Sequence, residues 1–239
     1  MLAFERQKNV LEYLEKHQSA TIRELAAAVY ASEASVRRDV ERLEAEGHVE
    51  RIYGGVLLAK YKNSVVPVQL RDSSNSVGKE LAAQKAAKMI KDGDTVILDA
   101  STTAFRICNY IKDRKHLKVI TNNLRVCQEL SAYTEIQVYC TGGYYVGSSG
   151  CFLGSSAERF LGGIRADILF FSAQGIGADG TITDVSEQEI SMRRVMLQHA
   201  KDRYFLCDGS KFGITKPFVL CNAEELNGVI SDIELAFSE

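Results

Sequence analysis

The chain lacks most of the features that would declare its chemistry at once. Its 239 residues carry 29 Lys and Arg against 31 Asp and Glu, a net charge of −2, so no overall basic excess advertises nucleic acid. The first 60 residues are no different. Nine basic side chains there (Arg6, Lys8, Lys16, Arg23, Arg37, Arg38, Arg42, Arg51 and Lys60) face ten acidic ones. Any surface meeting phosphate must therefore be narrow, which is sufficient, because a few phosphate contacts dominate affinity. The six cysteines are scattered, with no C-x-x-C and no clustered histidine, so zinc and a disulfide framework both fit poorly. Cys140 and Cys207 fall inside apolar runs, where a free thiol behaves as a small hydrophobe. No apolar run approaches the roughly 18 residues a membrane span needs, and the N-terminus lacks a signal pattern. Repeats and low-complexity tracts are also missing. The expectation is a cytosolic protein with reduced thiols, no membrane partner, no metal ion and no cofactor.

What the sequence does contain begins at residues 21–43, TIRELAAAVYASEASVRRDVERL. Thr21 followed three residues later by Glu24 is a capping box, and Ile22, Leu25, Ala26 and Val29 then form one apolar helical face. Tyr30 and Ala31 make a short connection, and Ser32 is an N-cap for a second helix. Val36, Val40 and Leu43 fall at i, i+4 and i+7 and form its buried stripe. Ala34, Arg37, Arg38, Glu41 and Arg42 project to the other side, Ser35 lies on the flank, and Gly47 supplies the stop. A charged face is commonly only a solvated surface. Here the two caps, the tight turn and the exposed arginines favour a helix-turn-helix whose second helix reads DNA. An opening helix over Ala3–His17, with Phe4, Val10, Leu11 and Leu14 as its core face, would complete a three-helix unit. After Gly47, the alternation of Val49, Arg51 and Tyr53 against Glu50 and Ile52, ending in Gly54-Gly55, suggests a β wing. Arg51 and Tyr53 would lie on it beside the second helix, where they could touch phosphate or the minor groove; the equal alternative is a β-hairpin whose polar residues are only surface.

The run S-E-A-S-V-R-R-D-V-E-R-L-E, then G-H-V-E-R-I-Y-G-G-V, resembles the DeoR family of bacterial winged-helix regulators. Ser32, Ser35, Val36, Arg37, Arg38, Asp39, Leu43, Glu44, Gly47, Arg51, Gly54 and Gly55 carry the likeness over more than twenty ungapped residues, with Ala31 where Val is usual and Ser35 where Thr is usual. The DNA-facing set is accordingly expected to be Thr21, Ser32, Ala34, Ser35, Arg37, Arg38, Arg42, Arg51 and Tyr53, on a domain spanning residues 1–57.

Periodicity fades over residues 58–76, where Ser and Asn accumulate around one of the two prolines, and this stretch reads as a linker or a linker strand. From residue 77 to 239 helical and strand-like patterns alternate. Helices are expected at 79–91, with Leu81, Ala82, Ala86, Met89 and Ile90 inward, and near 186–200. Strands are expected at 95–100, Leu117–Thr121, 136–141, 168–173, 203–207 and 218–221. Short apolar strands between helices indicate an α/β domain with a mostly parallel sheet covered on both faces.

Ligands of such sheets bind beyond the carboxyl ends of the strands. Five consecutive strand ends read Asp99-Ala100-Ser101-Thr102-Thr103, Thr121-Asn122-Asn123, Thr141-Gly142-Gly143, Gln174-Gly175-Ile176-Gly177 and Asp208-Gly209-Ser210-Lys211. Hydroxyls and free amides at a helix start suit phosphate. The family likeness extends here: DGDTVILDASTT, ITNN, TGG and DGSKFG resemble the DeoR effector domain, which is similar to the ribose-5-phosphate isomerase fold and responds to sugar phosphates. The resemblance implies that Ser101, Thr102, Thr103 and Lys79 hold phosphate and that Asp99, Asn122, Asn123, Gly142, Gly143 and Lys211 line the sugar. Ser101 replaces the glycine usual in this turn. The alternative is an isomerase-like enzyme carrying an accessory helix-turn-helix. Where the isomerases hold an acidic pair after the fourth strand, this chain has Phe171-Ser172-Ala173-Gln174-Gly175, with no carboxylate base, and Glu187 and Glu189 lie on a downstream helix. The expected function is a DNA-binding regulator, a repressor of a carbohydrate operon, released from double-stranded operator DNA by a phosphorylated sugar. It has no catalytic residues and acts as a homodimer or homotetramer.

Overall fold

The computed structural model describes residues 2–52, 55–61 and 66–237, with Tyr61 and Gln69 described by backbone alone. The chain divides into two compact units, Met1–Asn75 and Ser76–Glu239.

The first unit begins with α1 (Ala3–His17), β1 (Ser19–Ala20), α2 (Ile22–Ala28) and α3 (Glu33–Ala45). Both sequence-predicted caps form. Thr21 Oγ1 accepts the Glu24 amide while Glu24 returns to the Thr21 amide, and Ser32 Oγ accepts the Ser35 amide. Val10, Leu14, Leu25, Val29, Val36, Val40 and Leu43 make the core. Phe4, expected inside, is 77% exposed, because at about 100° per residue it points roughly 120° away from Val10 on the buried stripe. β2 (Val49–Ile52) and β3 (Gly55–Leu58) pair antiparallel as the wing, and β1 adds a third strand along β3 that sequence periodicity did not reveal. Tyr53 and Gly54, which fall between β2 and β3 in the sequence, lie outside the described residues. The stretch expected as a linker contains a helix, α4 (Val68–Ser73), with Val68 and Leu70 buried.

The second unit runs α5 (Ser76–Ala87), β4 (Thr95–Leu98), α6 (Thr102–Arg106), β5 (Leu117–Thr121), α7 (Leu124–Leu130), β6 (Ile136–Cys140), β7 (Tyr144–Val146), β8 (Cys151–Leu153), α8 (Ser155–Gly162), β9 (Ala166–Phe171), β10 (Gly175–Ile176), β11 (Thr181–Asp184), α9 (Glu187–Gln198), β12 (Ala200–Cys207), β13 (Phe218–Asn222) and β14 (Gly228–Ser231). Six strands in the order β14-β12-β9-β4-β5-β6 form one parallel sheet. Its strands are apolar on both faces. Val96, Leu98, Ile168 and Phe170 pack with α5, α6 and α7, while Ile97, Leu169 and Phe171 pack with α8 and α9.

Two expectations need correction. Leu81 does not face the core. The buried stripe of α5 is Ala82, Ala83, Ala86 and Ala87, continued by Ile90, and Leu81 lies off its phase at 43% exposure. Residues 218–221 are a strand but not one of the parallel set. β13 pairs antiparallel with β11 in a small separate sheet, and β14 takes the sheet edge instead.

Candidate functional site

Two places concentrate chemistry, one in each unit. On α3, Ala34, Arg37, Arg38, Glu41 and Arg42 are exposed while Val36, Val40 and Leu43 are buried, the division the helical period dictates. Arg37 makes only a loose surface pair with Glu33 at 3.6 Å. Arg38 and Arg42 have no ion pair among the described residues, so both guanidinium groups are available to phosphate or base edges. Thr21 and Ser35 are half-buried beside this face, with their hydroxyls committed to the caps. A cavity of about 410 Å³ runs between Thr21 and Arg23 of the α2 start, Arg37 of α3 and Arg51 of the wing.

Arg51 behaves differently from its neighbours. Its Nε meets Glu44 Oε2 at 2.6 Å, its amide donates to Glu44 Oε1 at 2.9 Å, and its Nη1 reaches Glu41 at 3.4 Å. In the free protein it braces the wing against α3 rather than standing free for phosphate. Asp39 lies on the opposite, buried side, where Arg6 Nε meets its Oδ2 at 2.5 Å and ties α1 to α3.

In the second unit, the ends of β12, β9, β4, β5 and β6 bring Asp208, Ser172, Asp99, Thr121 and Thr141 to one edge of the sheet. Ser101, Thr102, Thr103, Asn122 and Asn123 are all buried there. Ser101 Oγ caps α6 by accepting the Ala104 amide. The first-turn amides of Thr102 and Thr103 have no partner within the helix. Thr103 Oγ1 and Asn122 Oδ1 are buried and make no hydrogen bond among the described residues, an arrangement costly enough to call for an occupant. Asn123 Oδ1 accepts the Arg125 amide and caps α7. Gly142 has φ 65° in open space, whereas a β-carbon on Gly143, at φ 109°, would meet the Leu153 carbonyl oxygen at 2.3 Å. Gly143 is thus required by close packing against β8.

The two lysines are not surface groups. Lys79 is 2% exposed within α5, and a buried ammonium persists only with hydrogen-bonding or anionic company. Lys211 Nζ donates to Ser172 Oγ at 2.6 Å, and that hydroxyl donates to the Leu206 carbonyl. Asp99, expected to line a sugar, is held by backbone amides and by Arg193. Its Oδ1 accepts the Ser101 amide, and its Oδ2 accepts both the Ser172 amide and Arg193 Nε.

Arg193 is the residue that reading by periodicity missed. Fully buried in α9, it meets Asp99 at 2.9 Å, Asp184 at 2.9 Å and Glu189 at 2.8 Å, and Glu189 in turn accepts from Ser149 Oγ at 2.6 Å. Although burial opposes its charge, the three carboxylates hold the guanidinium protonated and raise its pKa. One signal was available: Glu189 and Arg193, four apart, share the face of α9 that carries Met192 and Met196. The cluster borders Asn122 across a gap of about 10 Å³, smaller than a sugar. A larger cavity of about 620 Å³ beside β14 is lined mainly by apolar groups such as Met89, Val229 and Phe237, and offers little to phosphate.

An exposed-arginine helix with a wing, joined to a parallel α/β unit with a polar strand-end site, defines a DNA-binding regulator with a sensor. Comparison with known proteins agrees. Residues 6–62 match the DeoR-like helix-turn-helix domain and residues 74–233 the DeoR C terminal sensor domain. An uncharacterized HTH-type transcriptional regulator of Bacillus subtilis (strain 168), YulB, is 32% identical over 97% of this chain and 90% of its own. The L-fucose operon activator of Escherichia coli (strain K12) is 28% identical over 95% of this chain and 94% of its own. The chain belongs to the DeoR family of transcriptional regulators, and it binds DNA and senses an effector. A structure of D-ribose-5-phosphate isomerase in complex with phospho-erythronic acid matches with a TM-score of 0.42 and 13% identity. That match spans 56% of this chain and about half, 52%, of the isomerase.

Proposed function

We propose that the protein represses a carbohydrate-utilisation operon and leaves its operator when a phosphorylated sugar occupies the strand-end site of the second unit. The observation that carries this reading is the pair of buried oxygens, Thr103 Oγ1 and Asn122 Oδ1, which lack partners among the described residues at a sheet edge also furnished with Thr102, Asn123 and Lys211. In this reading Thr102, Thr103 and Lys79 take the phosphate and Asn122, Asn123, Gly142 and Lys211 the sugar, while Asp99 keeps the loop in shape. The 10 Å³ gap beside Asn122 implies that the loops part to admit the ligand. Paired recognition helices require a homodimer or homotetramer, acting in the cytoplasm. Repression is the proposed sign, although the name of the fucose relative shows that this family also contains an activator.

The rival, an enzyme acting on sugar phosphates, needs a carboxylate base free to move a proton. Ser172 and Gln174 cannot serve, Asp99, Asp184 and Glu189 are fixed on Arg193, and Asp208 accepts from the Ser210 amide with Lys211 Nζ 4.0 Å away. Burial pushes the thiols of Cys108 and Cys207 up to about 12, far from nucleophilic thiolates at neutral pH. The test is a thermal-shift screen of sugar phosphates followed by calorimetry on any hit. Thr102→Val should abolish effector binding and leave operator binding intact. A variant that binds effector like wild type would place the phosphate elsewhere, and turnover of the hit at an enzymatic rate would establish the rival.

A further inference from the structure

The turn between α2 and α3 is built in a way its sequence does not favour. α2 ends in a Schellman motif, with the Ala31 amide donating to the Ala26 carbonyl at 3.0 Å and the Tyr30 amide to the Ala27 carbonyl at 3.3 Å. The central residue of this motif must adopt a left-handed backbone, and Tyr30 does so at φ 51°. α3 ends in the same motif, with His48 donating to Leu43 at 2.8 Å and Gly47 to Glu44 at 2.9 Å, but its left-handed residue is glycine, at φ 78°. Glycine takes that conformation without a steric penalty, whereas the β-carbon of any other residue is forced toward the following carbonyl. Packing does not compensate, because Tyr30 is 94% exposed. The same junction thus occurs twice in one unit, once with the residue that suits it and once with a strained, unpacked aromatic. Gln18 after α1 is also left-handed and exposed, at φ 66°, but it is a polar side chain suited to solvent; a large aromatic left bare in that conformation points to a use outside the folded monomer.

Its position narrows the choice of partner. Tyr30 stands two residues before Ser32, the N-cap of α3, whose exposed face carries Ala34, Arg37 and Arg38. A helix that enters the major groove by its first turns brings the residues just before it to the flanking phosphates. We propose that Tyr30 contacts the operator backbone, its phenolic O–H donating to a phosphate oxygen while the ring lies against the adjoining sugar. The contact fixes the angle at which α3 enters the groove. Because a phenol is uncharged, it adds affinity without releasing counterions.

Full-length Tyr30→Gly, Tyr30→Asn and Tyr30→Phe are compared on a DNA duplex that the wild-type chain selects from a random-sequence pool. Tyr30→Gly and Tyr30→Asn relieve the backbone, so their thermal midpoints should equal or exceed wild type, while affinity for the duplex falls at least tenfold. Tyr30→Phe keeps the ring and should lose only a few-fold. In all three the slope of log affinity against log salt stays that of wild type, unlike the loss of an arginine. Wild-type affinity in Tyr30→Asn would overturn the contact, and a lowered midpoint in Tyr30→Gly would overturn the strain argument beneath it. A changed oligomeric state by sedimentation, accompanying the loss of affinity, would assign Tyr30 to a subunit contact and overturn the proposal as well.

Discussion

Single residues divide the DNA-facing set into groups that reach outward and groups that hold the surface in shape. Arg38 and Arg42 make no ion pair among the described residues and Arg37 only a loose one, while Arg51 is drawn down by Glu44 and Glu41. Arg38→Ala should weaken operator binding and lower the magnitude of the salt slope by about one, the signature of one lost phosphate contact, with effector binding unchanged. Titrating affinity over several salt concentrations measures both; unaltered affinity in Arg37→Ala and Arg38→Ala alike would remove α3 from the recognition role. In the sensor, Thr103→Val separates structure from function. Removing a buried hydroxyl without a partner should stabilise the ligand-free protein by about 1 kcal/mol in urea unfolding, while effector affinity drops. Lower stability in that variant would mean the hydroxyl is already satisfied within the fold.

At the scale of elements, charge pairs join pieces that the apolar stripes alone leave loosely oriented. Arg6 of α1 holds the buried Asp39 of α3, so Arg6→Met would leave that carboxylate to the Gln7 amide at 3.3 Å and cost about 2 kcal/mol, less than a fully buried pair because Arg6 is 18% exposed. The wing depends on Glu44. The Arg51 amide, and with it the Arg51 guanidinium, hold this carboxyl below its ordinary value of 4.5 against a smaller opposing effect of burial. A group depressed in the folded state stabilises above its unfolded pKa, and that contribution disappears as pH falls through the folded value. Wild type should therefore lose stability on acidification below about pH 4.5 relative to Glu44→Gln, which urea melts between pH 7 and 3 would show.

Elements of this kind explain what could be read in advance. The caps at Thr21 and Ser32, the α3 stripe and the strand Leu117–Thr121 are local patterns, and the structure places them where periodicity did. The five polar strand ends were legible because each follows an apolar run. Leu81, the partner of β13, and the edge strand β14 were not, since small alanines and a separate antiparallel sheet are choices of tertiary packing. Arg193 escaped for a related reason. An arginine on a helix ordinarily faces solvent, and its burial becomes tolerable only when Asp99 arrives from the end of β4 to join the nearby Asp184 and Glu189.

Across the whole molecule, Arg193 links segments that an effector would move. Through Asp99 it fixes the Ser101 amide and the end of β9, and through Glu189 it reaches Ser149 between β7 and β8. Such a cluster changes as a unit, a suitable relay for a ligand that favours one arrangement of the sensor. Occupation of the sensor must then alter operator affinity through linkage, typically by about 1–3 kcal/mol, or several-fold to a hundredfold. The same factor must appear in reverse, as operator DNA weakening the effector. The most direct measurement is operator affinity with and without a saturating sugar phosphate found by thermal shift, paired with effector affinity with and without operator. Equal losses of affinity, each at least fivefold, are expected in the two titrations. A sugar phosphate that binds the sensor and leaves operator affinity unchanged would contradict the account.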